Sequence, residues 1–87
     1  MKITVTQYHI DNGQKGSCTR DPIALALKDA GVEDPWVSPV RITFGLNRKN
    51  GAPVPAEVLA FMRAFDSHEP VSPFTFELGI TDSLGGE

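Results

Sequence analysis

Residues 21–31, with the sequence DPIALALKDAG, contain the signals for both ends of one α-helix. Asp21 has a side chain suited to an N-cap, Pro22 is favoured at the first helical position, and Gly31 ends the helix. The apolar residues recur with the period of a helix that buries one face. That face is expected to consist of Ile23, Ala26, Leu27 and Ala30.

Segments on both sides of this helix alternate apolar and polar residues, as strands with one buried face do. They are residues 2–6 (KITVT), 40–44 (VRITF) and 74–78 (FTFEL). A parallel sheet buried on both faces would give continuous apolar runs, so a mostly antiparallel sheet is predicted. Between two prolines, residues 36–38 can form at most a short edge strand. The polar face of the sheet is expected to carry Lys2, Thr4, Arg41, Thr43, Thr75 and Glu77.

The remaining segments complete an α+β fold. Thr6 is predicted to cap a short helical turn over residues 7–10, and Gly13 to end it in the left-handed region. Residues 46–51 read as a turn or loop, and Pro55 opens a second long helix that extends to Phe65. Its buried side is expected to consist of Val58, Phe61, Met62 and Phe65. We predict a three- to four-stranded sheet with two helices packed on one face, a single domain over residues 1–80 and a flexible tail over residues 81–87.

Composition excludes several classes of protein. With 87 residues, 40% of them hydrophobic, there is no room for a second domain. A chain of this size buries only about 60% of its unfolded surface, which favours a homo-oligomer. The lone Cys18 and the two histidines, His9 and His68, lack zinc-site spacing, so no metal or cofactor is expected. No apolar run has the length of a signal peptide or a membrane span, so we expect a soluble intracellular protein.

The net charge of −3 argues against binding to duplex nucleic acid, which needs a basic face. Positive charge is nevertheless concentrated in two short segments, 15–20 (KGSCTR) and 41–50. Residues 51–87 set Arg63 against six acidic residues. A small anionic ligand is therefore a better match than a nucleic-acid polymer.

The first basic segment precedes a helix N-terminus, where free N–H groups and the helix dipole favour an anion. Lys15, Ser17, Thr19 and Arg20 are the candidate ligands of a phosphate. It is not a P-loop, because no Gly-x-x-x-x-Gly-Lys-Ser pattern is present. The alternative is a solvated loop in which Asp21 caps the helix and Ser17 or Thr19 stabilises a turn.

Arg48 and Lys49 in the second basic segment are candidate partners for further phosphate groups, if the fold or a second copy brings the segments together. The alternative is a surface loop whose charges keep the protein soluble. Tyr8 and Trp36 lie near the ends of predicted elements and are candidates for stacking on a ring. A tryptophan at such a place also suits a core or an interface.

Enzymatic readings are weaker. Cys18 with His9 or His68 has the residue types of a nucleophile and base, but such a set occurs by chance in many chains. No spacing directs Asp11, Asp66 or Glu69 toward one another. We expect a binding protein without catalytic residues.

One resemblance covers most of the chain. Ile10-Asp11-Asn12-Gly13, Gly16-Ser17 and residues 22–27 (PIALAL), followed by Phe65-Asp66 and Pro73-Phe74, resemble a group of small proteins encoded by phages, prophages and actinobacteria. That group has Cys before the proline, where this chain has Asp21, and Cys18 lies three positions earlier. No role of that cysteine carries over. The resemblance implies a phage origin and a shared fold, and it brings no mechanism.

Together these observations predict a non-enzymatic phage accessory protein of the host cytoplasm, which counteracts host defence by sequestering a small anionic nucleotide-type signal. The alternative is a protein–protein inhibitor or adaptor that binds a host protein through its acidic surface or a sheet edge.

Overall fold

The computed structural model describes residues 1–79, and the α+β class is confirmed. In chain order the elements are β1 (Lys2–Val5), α1 (Gln7–Asn12), α2 (Pro22–Asp29), β2 (Trp36–Val37), β3 (Arg41–Phe44), a 3-10 turn (Leu46–Arg48), β4 (Asn50–Pro53), α3 (Ala56–Asp66) and β5 (Phe74–Glu77). The predicted tail over residues 81–87 lies outside the described residues. Within residues 1–79 no helix has the length and apolar character needed to cross a membrane.

The strands form two antiparallel sheets rather than one. β1 pairs with β5, with Ile3 opposite Phe76. The other sheet has the order β2-β3-β4. Strand β4 has the sequence NGAP, in which Asn, Gly and Pro are poor strand formers, and the turn or loop predicted over residues 46–51 covers its first two residues. It is a strand because it pairs along the whole of β3, with Ile42 opposite Ala52.

Helix α2 joins the two sheets, since it contacts both β1 and β2. Ile23 and Leu27 on α2 are fully buried, together with Ile3 and Ile42 of the two sheets. Two predictions of the apolar pattern were wrong. Ala30 is the exposed C-cap of α2, and Ala24 is buried in its place. Val40 precedes β3 and is 80% exposed.

Helix α3 packs through the predicted apolar side, and its four residues Val58, Phe61, Met62 and Phe65 are buried. The ring of Phe61 lies 5.0 Å from that of Phe74 on β5, measured between centroids. Phe74 in turn lies 5.8 Å from Phe76. These aromatic contacts attach α3 to the sheet formed by the two ends of the chain.

Helix α1 begins at the predicted cap. The backbone N–H of Thr6 donates to His9 Nδ1 at 2.9 Å, and the His9 N–H donates to Thr6 Oγ1 at 3.4 Å, which completes a capping box. The prediction that Gly13 is left-handed was wrong, because its φ is −74° and its ψ 152°. Glycine is needed there for a different reason: a Cβ would lie 2.5 Å from Cδ of Pro22. Gly13 therefore lets the end of α1 approach the start of α2.

Candidate functional site

The first basic segment folds as a closed loop in front of α2. The Gln14 N–H donates to the Arg20 carbonyl at 2.8 Å, and Ser17 Oγ accepts the Arg20 N–H at 3.0 Å. Asp21 Oδ1 accepts the Ala24 N–H at 2.7 Å. Ser17 thus stabilises a turn and Asp21 occupies an N–H group that an anion would have used. The side chains of this loop must therefore contact any ligand at a place other than the N-terminus of α2.

A cleft of about 410 Å³, which we call the Arg48 cleft, lies between this loop and the loop that joins β3 to β4. Thr19 of the first basic segment and Arg48 of the second both line it, and Lys28 of α2 lies in the same wall. Residues of both basic segments therefore line the same cleft, but Lys15 and Arg20, the charged residues of the first segment, do not. The other lining residues are Asp34, Pro35, Gly45, Leu46 and Asn47.

Four of the residues that line the Arg48 cleft have a positive φ. Asp34, Gly45, Asn47 and Arg48 have φ values of 47°, 86°, 58° and 51°. Glycine, asparagine and aspartate adopt this left-handed region readily, whereas an arginine there carries a conformational cost of about 1–2 kcal/mol. Residues held in this way cluster at ligand-binding sites.

The Arg48 side chain is held in place by an aromatic ring. Its guanidinium carbon lies 4.3 Å from the centroid of the Trp36 ring, a cation–π contact between β2 and the β3–β4 loop. Trp36 itself is 38% exposed. The pair places a cation in the lining of the cleft, with the guanidinium over the indole ring.

A second cleft of about 410 Å³, which we call the Tyr8 cleft, lies between α1 and α2. Tyr8, which is 67% exposed, and Arg20 line it. Lys28 lines this cleft as well as the Arg48 cleft, and its Nζ donates to the Thr19 carbonyl at 3.0 Å. The remaining lining residues are His9, Asn12, Gln14, Leu25 and Asp29.

The buried His9 is hydrogen-bonded to Asp29, and both residues line the Tyr8 cleft. Because Nδ1 accepts the Thr6 N–H, the proton of the neutral ring is on Nε2. Nε2 then donates to Asp29 Oδ2 at 2.6 Å. Asp29 is thereby hydrogen-bonded on the side of His9, while the ammonium of Lys28 and the guanidinium of Arg20 bring positive charge to the cleft.

A third, smaller cavity of about 110 Å³ is lined by Ser17, Cys18, Asp21, Met62 and Asp66, among others. Burial raises the pKa of the Asp21 carboxyl from 3.8 to about 7, and the negative charge of Asp66 adds to the effect. Neither histidine lines this cavity. Across residues 1–79 the structure holds no cluster of three His, Cys, Asp or Glu residues able to bind a metal ion.

The structure thus divides the candidate residues among several places. Thr19 and Arg48 share one cleft, Tyr8 and Arg20 share the other, and Ser17 lines the third cavity. Lys15 stacks on Phe65, with Nζ 5.1 Å from the ring centroid. Lys49 is exposed and lies outside the lining of both large clefts.

Sequence reasoning missed Lys28, the residue that the two clefts share. Its only signal was its position in the last turn of α2, where a basic residue is also favoured by the helix dipole. Comparisons with protein-family models, with curated proteins and with solved structures found no match to this chain.

Proposed function

We propose that this chain binds a small anionic ligand of the nucleotide type in the Arg48 cleft and acts by sequestering it. The observation that carries the proposal is that Thr19 and Arg48, from basic segments far apart in sequence, line one cleft together with Lys28. Further support comes from the charge, the donor groups, the guanidinium held over Trp36, the volume of the cleft and the backbone conformation of Arg48.

The cleft favours an anion. Lys28 and Arg48 bring two positive charges against the single carboxylate of Asp34, in a chain whose net charge is −3. The Lys28 ammonium has three N–H donors and uses one of them on the Thr19 carbonyl, so two are left for phosphate oxygens. The Thr19 hydroxyl and the Asn47 amide add neutral donors beside these charges.

The nucleotide class follows from the Trp36–Arg48 pair and from size. A guanidinium held over an indole ring can donate its N–H groups to a phosphate, and guanidinium groups also stack on rings. A volume of about 410 Å³ lies within the range of small-molecule sites, roughly 300–1,000 Å³. The positive φ of Arg48 also supports a ligand, because residues held in this conformation cluster at functional sites.

Sequestration requires binding alone, and no nucleophile with a neighbouring base lines the Arg48 cleft among the residues that the structure describes. The resemblance to phage and prophage proteins implies a phage origin, and with that origin we propose a nucleotide messenger of host defence as the ligand and the host cytoplasm as the place of action. That setting is part of the proposal and rests on the resemblance.

The proposal is tested by a thermal-shift and native mass-spectrometry screen against mononucleotides, cyclic di- and trinucleotides and ADP-ribose. A ligand at 100 times its Kd stabilises the folded state by about 2.7 kcal/mol, which a domain of this size reports as a clear rise in Tm. Lys28→Gln and Arg48→Gln are expected to abolish the shift. Arg63→Gln is the matched control, because it removes the same charge from an exposed position on α3.

Recovery of unmodified ligand after denaturation would support sequestration, and recovery of a cleaved product would show catalysis instead. If no compound shifts the Tm of the wild type, the proposal is wrong. The alternative would then be a host-protein inhibitor, tested by pull-down with variants of the acidic residues Asp66 and Glu69.

A further inference from the structure

The two large clefts are neighbours that share one side chain. Lys28 lines both of them, and the remaining lining residues belong to one cleft or the other. Building on the proposed function, we propose that the ligand spans both clefts over Lys28. It would then be a dinucleotide: two nucleosides joined through phosphate, with the phosphate at Lys28.

The position of Lys28 favours a phosphate at the junction. Its hydrogen bond to the Thr19 carbonyl holds the ammonium at the boundary between the clefts. A phosphate bound to the remaining N–H groups lies between the two cavities. The groups attached on either side of that phosphate are then directed into different clefts.

Each cleft offers a surface for one ring. In the Tyr8 cleft the phenol ring of Tyr8 is 67% exposed, and such a ring stacks on any base. In the Arg48 cleft the guanidinium lies over the Trp36 ring and offers a cationic surface. The aromatic ring and the guanidinium thus line different clefts, and Lys28 lines both.

The polar groups of the Tyr8 cleft suit a nucleoside beside a phosphate. Arg20 adds a second cation on this side of Lys28. The amides of Asn12 and Gln14 lie in the same wall and have the mixed donor and acceptor groups that base edges and ribose hydroxyls require. The equal volumes, about 410 Å³ each, match a ligand made of two similar halves.

The experiment measures Kd by isothermal titration for the four nucleoside 5′-monophosphates and for the 5′-phosphorylated dinucleotides pApA, pGpG, pCpC and pUpU. At least one dinucleotide is expected to bind about tenfold or more tightly than its mononucleotide, because the second ring gains a stacking partner. Tyr8→Ala should remove this advantage, so that the variant binds a mononucleotide and its dinucleotide with similar Kd values. Tyr8→Phe, which keeps the ring, should retain it.

Arg48→Gln tests the proposed function, since Arg48 contacts the ligand in both proposals. The comparison of a mononucleotide with its dinucleotide tests the two-cleft ligand. It should weaken mononucleotides and dinucleotides alike, whereas Arg63→Gln should weaken neither. Equal Kd values for a mononucleotide and its dinucleotide, both sensitive to Arg48→Gln, would overturn the two-cleft ligand and leave the proposed function standing. Absence of binding by every compound would overturn both. The circular dichroism spectrum and Tm of each variant verify that it is folded.

Discussion

Replacing the buried carboxyl of Asp21 by an amide tests how much folding stability this chain loses by burying an acid. Asp21 is 6% exposed, caps α2 and lies in a cavity with Asp66. Burial raises the pKa of its carboxyl from 3.8 to about 7, and Asp66 adds a smaller contribution of the same sign. The hydrogen bond from the Ala24 N–H opposes burial without cancelling it.

The pKa sets the direction and size of the effect. Between pH 3.8 and about 7 the folded chain holds a proton on Asp21 that the unfolded chain has released. The stability that this proton contributes is fully present below pH 3.8 and is lost as pH rises through 7. A difference of about 3 pH units corresponds to about 4 kcal/mol, at 1.36 kcal/mol per unit.

Asp21→Asn keeps an oxygen that accepts the Ala24 N–H but carries no charge. At pH 8 we expect the variant to be more stable than the wild type by about 2–4 kcal/mol, and at pH 4 by less than about 1 kcal/mol. Urea unfolding at pH 4, 6 and 8 measures both proteins.

Asp66→Asn serves as the control, because it removes only the smaller electrostatic contribution and leaves Asp21 buried. It should lessen the loss of wild-type stability between pH 4 and 8 without removing it. The reasoning would be refuted if Asp21→Asn lowered stability at pH 8. An ionised carboxylate at the α2 N-terminus would then contribute more through the cap and the helix dipole than it loses by burial.

Two further predictions concern the start of the chain. His9→Ala should lower the free energy of unfolding in urea by about 2–3 kcal/mol, because it removes a buried ring and the acceptor of the Thr6 N–H. Asp29→Asn should lower it by less than about 1 kcal/mol, because the Asp29 side chain is 68% exposed. Equal losses would show that the hydrogen bond between His9 and Asp29, rather than the cap, accounts for the loss of stability. Gly13→Ala should lower the free energy of unfolding by about 1–3 kcal/mol, because the new Cβ would clash with Pro22. Gly16→Ala should lower it by about 1 kcal/mol, because residue 16 has a φ of 71°. Asparagine should restore stability at residue 16 but not at residue 13; rescue at both would contradict the steric explanation.

The N-termini of α1 and α2 were predictable because their signals are local. Thr6 and Asp21 accept hydrogen bonds from the N–H groups three residues ahead, and Pro22 needs none. Alternation in KITV and FTFE likewise identified β1 and β5. These features depend on neighbouring residues alone, so one sequence suffices to predict them.

Pairing between strands was not predictable in the same way. Strand β4 forms because β3 offers free backbone groups along its edge, although the β4 sequence NGAP does not favour a strand. The division into two sheets follows from β1 pairing with β5 at the other end of the chain. Alternation identifies a strand and its buried face but carries no information about its partner.

The candidate site shows the same limit. Charge and loop composition identified Thr19, Arg20 and Arg48, but the hydrogen bond of Lys28 to the Thr19 carbonyl depends on the path of the loop before α2. That path is fixed in part by the Val37 N–H, which donates to the Cys18 carbonyl at 2.8 Å. A contact with β2 therefore decides which charges share a cleft.

The loop between β3 and β4 is where local preference and structure disagree most. Asn47 suits the left-handed region, but Arg48, with φ 51°, does not, and the pairing of Phe44 with Asn50 closes the loop around both. A glycine at residue 48 would relieve the strain and would lose the cation held on Trp36. The chain keeps a strained arginine in the cleft that Thr19 and Lys28 also line. Local rules tend to be broken at functional sites, so this conflict supports a ligand at the Arg48 cleft more strongly than charge alone does.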